Sequence, residues 1–178
     1  MRTIGLAMKA AFELINKMQR DGVIDRYALG GAVGATLYLE PASTLDIDIF
    51  ARLSGTAGNL LVSLSPIYEY LKQHGGRAEG EHIVIGGWPV QFLPVSTALE
   101  EEALHQAVET EIEGVPVWVM RAEHLAAIAL QTGRSKDHAR ILQFLEQDAF
   151  DQGRLERILN TYGLASRWEK FKARFLSE

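Results

Sequence analysis

The spacing of apolar positions along the chain changes near residue 120. Up to that point, short apolar runs typical of strands alternate with segments whose apolar residues recur every three or four positions, as on one face of a helix. The runs predict strands at 27–29, 45–53, 82–85, 88–95 and 115–120, and the helical spacing predicts helices at 1–20, 31–39, 60–74 and 97–110. Beyond residue 120 only helical spacing remains, at 122–131, 135–147, 151–161 and 164–176.

This order of elements predicts an α/β (α+β) fold, with a mixed sheet flanked by helices and an all-helical C-terminal part. We expect an α/β core over residues 1–120 and a helical extension over residues 121–178. The extension should pack on the core, because its helices alone would leave their apolar faces in water. Two local patterns support the element bounds: Gly86-Gly87 is typical of a two-residue hairpin turn, and Thr97 with Glu100 has the spacing of a capping box.

Two carboxylates stand one residue apart in the second predicted strand. Because alternate residues of a strand project from the same face, Asp46 and Asp48 should lie side by side while Ile47 and Ile49 face the core. Two like charges held so close need a cation to neutralise them, and a hard divalent ion does this best. The alternative is an exposed carboxylate pair at a strand end, without a ligand.

A diglycine, Gly30-Gly31, ends the first predicted strand and opens the second predicted helix. Glycine lets the backbone approach a ligand closely, and N–H groups at the start of a helix attract phosphate. The alternative is a tight turn with no ligand. The segment has neither the lysine of a Walker A loop nor the glycine spacing of a dinucleotide fingerprint. A carboxylate strand beside a phosphate-binding turn is the layout expected of a nucleotidyl-transfer site.

The succession of Leu29-Gly30-Gly31, a helix, a loop and Asp46-Ile47-Asp48 resembles the signature of the DNA-polymerase-β-type nucleotidyltransferase superfamily. The loop at 40–44 is similar to that of its minimal and abortive-infection-type branches. The resemblance implies a nucleotidyltransferase-like mixed sheet in which Asp46 and Asp48 are catalytic and hold Mg²⁺ (or Mn²⁺). It also implies that Gly30 and Gly31 bind the phosphates of a nucleoside triphosphate. Thr44 is a further candidate near the phosphates, with a structural role in the loop as its alternative.

One position departs from the family pattern. The family usually carries a third carboxylate on a later strand, and this chain has Gln91 at the matching position, in Val90-Gln91-Phe92. A glutamine offers a neutral carbonyl ligand but cannot take a proton. Binding of the magnesium nucleotide should therefore survive more readily than turnover. The glutamates at 100–102 are alternative carboxylates, although an acidic run also suits a solvated helix start.

A basic run opens the second of the C-terminal helices. If Ser135 caps this helix, Lys136 and Arg140 lie four residues apart on one face, from which they could reach a triphosphate. The run resembles the Lys-Asp-x-x-Arg element that follows the catalytic core in several minimal and abortive-infection-type transferases. The alternative is that both side chains pair with Asp137 or with neighbouring acids.

Two functions remain open on these observations. The first is transfer of a nucleotidyl group from a magnesium nucleoside triphosphate to a hydroxyl acceptor, for which RNA, a protein side chain and a small molecule are all candidates. The second is a catalytically weakened or inactive binding protein with the same fold, for example one component of a toxin–antitoxin pair. Gln91 is the residue that favours the second function.

The composition of the chain restricts the partners, metal sites and cellular location that fit either function. The 18 basic and 23 acidic residues give a net charge of −5, which argues against a protein that mainly coats nucleic acid. The chain has no cysteine, so disulfides and thiolate metal sites are excluded. No apolar run approaches the roughly 18 residues of a membrane span, and no signal-peptide pattern is present at the N-terminus. We expect a cytoplasmic protein with no membrane partner, and we expect its five scattered histidines to be ordinary surface or packing residues.

Overall fold

The computed structural model describes residues 4–39, 46–55 and 62–177. In chain order the described elements are α1 (Ile4–Arg20), β1 (Ile24–Gly30), α2 (Gly31–Ala35), β2 (Ile47–Leu53), α3 (Ser65–Gln73), β3 (Arg77–Glu79), β4 (His82–Ile85), β5 (Trp88–Pro94), α4 (Ala98–His105), β6 (Val108–Ile112), β7 (Val115–Val119), α5 (Ala122–Thr132), α6 (Ser135–Glu146), α7 (Gln152–Thr161) and α8 (Ala165–Phe175). None of the described helices is both long enough and apolar enough to cross a membrane.

The strands form one mixed sheet in the order β3-β4-β5-β2-β1-β7-β6. At its centre β2 is antiparallel to β1 and parallel to β5, and β1 is also parallel to β7. The outer pairs are antiparallel, and the β4–β5 hairpin turns through Gly86-Gly87 with Ile85 opposite Trp88. The predicted mixed sheet flanked by helices is therefore confirmed, as is the all-helical course of the chain after residue 120.

The two faces of the sheet bury separate hydrophobic clusters. One face packs against α1 and α3 through Phe12, Ile15, Ile47, Ile49 and other fully buried side chains. The other face carries Phe50 and Met120 and packs against α4 and the four C-terminal helices. Because this second cluster contains side chains from both halves of the chain, the C-terminal helices cover one face of the sheet.

The predicted helix over 97–110 is wrong in its second half. The capping box of Thr97 and Glu100 is present, but the helix ends at His105 and residues Val108–Ile112 form β6. The stretch pairs along its whole length with β7, and the turn between them uses positive φ at Glu113 and Gly114. The alternation of Val108, Thr110 and Ile112 with two glutamates suits an edge strand.

Smaller differences concern element ends. The predicted helix over 31–39 stops at Ala35 and continues as turns, and the edge strand β3 gave no periodic signal because its three residues are all exposed. Arg134, rather than Ser135, is the N-cap of α6, so the predicted cap is wrong by one residue. The predicted start of the third helix at 60–61 and the start of the second strand at 45 lie outside the described residues.

Candidate active site

The two aspartates lie at the beginning of β2, on the face of the sheet that α5 and α6 cover. Ile47 and Ile49, which alternate with them, are fully buried on the opposite face. Asp46 immediately precedes the strand, and Asp48 is its second residue. The alternation predicted from sequence is present, and both carboxylates line one cavity.

The diglycine lies beside Asp48 because β1 and β2 are antiparallel, with Gly30 opposite Asp48 in the register. Gly31 has a φ of +56°, and a Cβ atom added there would lie 2.8 Å from Asp48 Cγ and closer still to a carboxylate oxygen. A Cβ atom added at Gly30 would lie 2.5 Å from the Phe50 ring. Gly31 lines the cavity, so its backbone is open to a ligand, whereas the space at Gly30 is taken by Phe50.

Gln91 of β5 is the cross-strand neighbour of Asp48 on the other side. The parallel pairing of β2 with β5 places these two residues directly opposite each other. The antiparallel pairing of β4 with β5 sets Ile83 opposite Val90, so the next residue of β4, His82, lies opposite Gln91. His82 Nε2 lies 3.2 Å from Asp46 Oδ2. The row that crosses the sheet at the site therefore consists of Asp48, Gln91 and His82.

Three basic side chains from the start of α6 line the same cavity as the aspartates. Arg134, Lys136 and Arg140 all border it, together with Asp137. Asp137 is 1% exposed and accepts hydrogen bonds from Arg134 at Nε (2.7 Å) and at the backbone N (3.1 Å), while Arg140 Nη1 lies 3.7 Å away. The buried carboxylate thus holds two guanidinium groups beside the aspartate pair.

The cavity has a volume of about 390 Å³, which lies within the range of small-molecule sites. Much of its lining is apolar, from Phe50, Leu93, Pro94, Met120, Leu125, Ile128 and Ala129, and Thr132 also borders it. The cavity therefore offers charged groups for phosphate and metal and apolar surface for an uncharged group.

The pKa of Asp48 is raised above its ordinary value. Burial is the main cause, and the charge of Asp46 adds to it, while Arg140, Lys136 and Arg134 act in the opposite direction. A carboxylate in this environment gains from a cation more than an exposed one does, because each charge is less solvated. The cavity is therefore an electrostatic environment suited to a cation bound together with a polyanion.

The donors at this site fit a divalent cation only if a ligand supplies the rest. Asp48 makes no ion pair with any described residue, and Gln91 adds a carbonyl oxygen beside it. Within the described parts of the chain, no three His, Asp or Glu side chains are placed to hold a metal by themselves. Mg²⁺ in proteins is commonly bound by one or two carboxylates plus substrate phosphates, and two carboxylates are what the cavity provides.

The structure thus brings together Asp46, Asp48, Gly31, Lys136 and Arg140, with Gln91 beside them. Thr44 lies outside the described residues. Sequence reasoning assigned no role to Arg134 and treated His82 as an ordinary residue. The position of His82 could have been inferred from the predicted hairpin. A two-residue turn at Gly86-Gly87 sets residue 85 opposite residue 88, and the same register sets His82 opposite Gln91.

No protein-family model matches the sequence, and no curated protein sequence matches it. Solved structures of similar fold include the following two. The first is an antigenic nucleotidyltransferase-like protein from Paracoccidioides brasiliensis, at 14% identity over 98% of both chains with a TM-score of 0.59. The second is ANT(2″)-Ia in complex with adenylyl-2″-tobramycin, at 17% identity over 93% of this chain and 98% of that one, with a TM-score of 0.51. The chain has the nucleotidyltransferase fold, as its sequence predicted.

Proposed function

We propose that this protein binds a nucleoside triphosphate with Mg²⁺ (or Mn²⁺) and transfers the nucleotidyl group to a hydroxyl acceptor. The observation that supports this most is the cavity in which Asp46 and Asp48 face three cationic side chains of α6. Carboxylates suit a divalent cation, and guanidinium and ammonium groups suit the phosphates that accompany it. The nucleotidyltransferase fold of the chain supports the same chemistry.

Each residue has a defined task in this proposal. Asp46 and Asp48 hold the metal ion, which when bound neutralises phosphate charge and polarises the phosphoryl oxygens. Lys136 and Arg140 bind the triphosphate, and the backbone at Gly31 approaches it closely. The acceptor oxygen forms a bond to the α-phosphorus and its proton passes to solvent water. The bond from the α-phosphorus to the bridging oxygen breaks, and pyrophosphate leaves with the negative charge that the basic side chains stabilise.

The acceptor in this proposal is a hydroxyl group on RNA, on a protein side chain or on a small molecule. ANT(2″)-Ia was solved with adenylyl-2″-tobramycin, a small molecule that carries an adenylyl group. A screen of acceptors should therefore include small polyhydroxylated molecules beside RNA and the protein itself.

The proposal is tested by incubating the protein with each α-³²P-labelled triphosphate, Mg²⁺ and these acceptors. Transfer of label should be abolished by Asp46→Asn and by Asp48→Asn. The matched control is Asp25→Asn, the same change at an exposed residue of β1 that hydrogen-bonds Ser54. Absence of label on every acceptor, or transfer that survives Asp48→Asn, would contradict the proposal.

Binding can be measured without knowledge of the acceptor. At a ligand concentration 100 times the Kd, specific binding stabilises the folded state by about 2.7 kcal/mol. For a chain of this size this corresponds to a Tm increase of roughly 5–10 °C. The increase should require both Mg²⁺ and a triphosphate. No increase with any of the four triphosphates would count against both the metal and the phosphate assignments.

A second candidate function rests on Gln91. A neutral amide stands directly beside Asp48, where the family resemblance leads one to expect a third carboxylate. Glu100 lines the same cavity, but one of its oxygens accepts from the backbone N–H groups of Ser96 and Thr97 in the cap of α4. The alternative is thus a weakened or inactive protein that binds the nucleotide without turnover, for example in a toxin–antitoxin pair. Binding without transfer in the two assays above would favour it.

A further inference from the structure

The two aspartates of the site differ in how the sheet holds them. Asp48 lies inside the ladder, opposite Gly30 on one side and Gln91 on the other. Asp46 lies one residue before the first paired residue of β2, Ile47. The strand pairing thus fixes the backbone of Asp48 directly, and side-chain contacts contribute to the direction of the Asp46 carboxylate.

His82 supplies such a contact from a fixed position. It is the first residue of β4, paired with Glu79 of β3, and its neighbour Ile83 is fully buried opposite Val90. The side chain of His82 points to the site face because Ile83 points to the other. Its Nε2 lies 3.2 Å from Asp46 Oδ2, and the two side chains are 31% and 35% exposed.

We propose that His82 is a positioning residue for Asp46: its imidazole donates the Nε2 hydrogen to Oδ2 and so directs the other carboxylate oxygen toward the metal ion. This inference rests on the proposed function, since it concerns how the metal–nucleotide complex is held. A carboxylate has two oxygens with several lone pairs, so one oxygen can accept from the imidazole while the other binds a cation.

A direct role of His82 as a metal ligand is not what the geometry favours. The described His, Asp and Glu side chains form no group of three placed to hold an ion, although His82, Asp46 and Asp48 share one face of the sheet. The same hydrogen bond also keeps Asp46 in place against the repulsion of Asp48. Hydrogen-bond partners of metal ligands typically change metal affinity by about 10- to 100-fold when they are removed.

The test measures binding of Mn²⁺ by electron paramagnetic resonance, with and without the α,β-methylene analogues of the four triphosphates. The variants are His82→Leu and His82→Ala, which remove the donor, and His82→Gln, whose side-chain amide can restore an N–H near the same place. The matched control is His74→Leu, at the C-cap of α3 on the opposite face of the sheet. Thermal unfolding of each variant shows whether it is folded.

The donor-free variants should bind the Mn²⁺–nucleotide complex about tenfold more weakly than the wild type. His82→Gln should recover most of this loss, and His74→Leu should match the wild type. In the Asp46→Asn background, His82→Leu should have no further effect, because the role runs through Asp46. If His82 had a purely structural role, His82→Leu would weaken binding further in the Asp46→Asn background, and His82→Gln would not recover the affinity.

Three results would overturn the inference. His82→Leu and His82→Ala could bind as tightly as the wild type, His82→Gln could be as weak as His82→Leu, or the two losses could add in the Asp46→Asn background. In each of these cases the proposed function is unaffected, provided that the wild type binds the Mn²⁺–nucleotide complex. If the wild type holds Mn²⁺ with none of the four analogues, the proposed function fails and the inference fails with it.

Discussion

Replacing Gly31 by alanine should disable the site by displacing the carboxylate of Asp48. An added Cβ would lie 2.8 Å from Asp48 Cγ and nearer to Oδ2, although Cβ contacts under 3.0 Å are essentially never seen. The carboxylate must therefore move by about 1 Å, and a misplacement of this size can cost about 100-fold in rate. Alanine at the φ of +56° adds a backbone strain of about 1–2 kcal/mol.

The matched control for this prediction is Gly163→Ala. Gly163 has a φ of +70°, but a Cβ there would meet nothing within 4 Å. Both variants should lose a similar 1–2 kcal/mol of stability from strain, or roughly 2–8 °C in Tm. Only Gly31→Ala should also lose Mn²⁺–nucleotide affinity and any nucleotidyl transfer. Wild-type affinity in Gly31→Ala, or an equal loss in Gly163→Ala, would refute the reasoning.

Three further predictions concern other residues of the structure. Gln91→Asp should raise nucleotidyl transfer at least about tenfold, because the new carboxylate can accept a proton beside Asp48, and a decrease in the labelling assay would contradict this. Asp137→Asn should raise the KM for the triphosphate and lower the free energy of unfolding in urea by about 2 kcal/mol. This loss is smaller than for a fully buried ion pair because the Arg134 side chain is 57% exposed. An unchanged KM would show that Asp137 does not position the basic side chains. Burial keeps the pKa of His124 below its ordinary value near 6.5, so the unfolded chain takes up the proton first as pH falls. Stability should therefore be retained above pH 7 and fall below pH 6.5, by at most about 1.4 kcal/mol per pH unit, and His124→Leu should flatten this slope between pH 7 and 5.

The environment of His124 explains why this pH dependence comes from the fold and not from the site. The side chain is fully buried on α5, where its Nε2 lies 3.3 Å from Glu102 and its Nδ1 has no hydrogen-bond partner among the described residues. Glu102 also accepts hydrogen bonds from Tyr162 and Gln106, so the cluster joins α4, α5 and α7. His124→Leu should therefore change the stability of the fold and leave the nucleotide affinity unchanged.

Local sequence patterns were sufficient to predict most of the helices and strands and the aspartate pair. The alternation of Asp46 and Asp48 with two isoleucines, the capping box at Thr97 and the hairpin at Gly86-Gly87 all depend on residues close in sequence. Where the local pattern was ambiguous, the prediction failed. Residues Val108–Ile112 were predicted as helix, and their pairing with β7 made them a strand.

The sequence by itself determined the order of helices and strands, the fold class and the position of the aspartate pair, because each rests on periodicity and turn chemistry over a few residues. Only the tertiary structure decided what surrounds that pair. Packing of α6 against α5 brings Lys136 and Arg140 to the cavity from about 90 residues away along the chain. Strand register places Gln91 beside Asp48, and His82 lies beside Asp46. Such neighbours follow from how buried faces fit together, and the spacing of residues along one element does not contain that information.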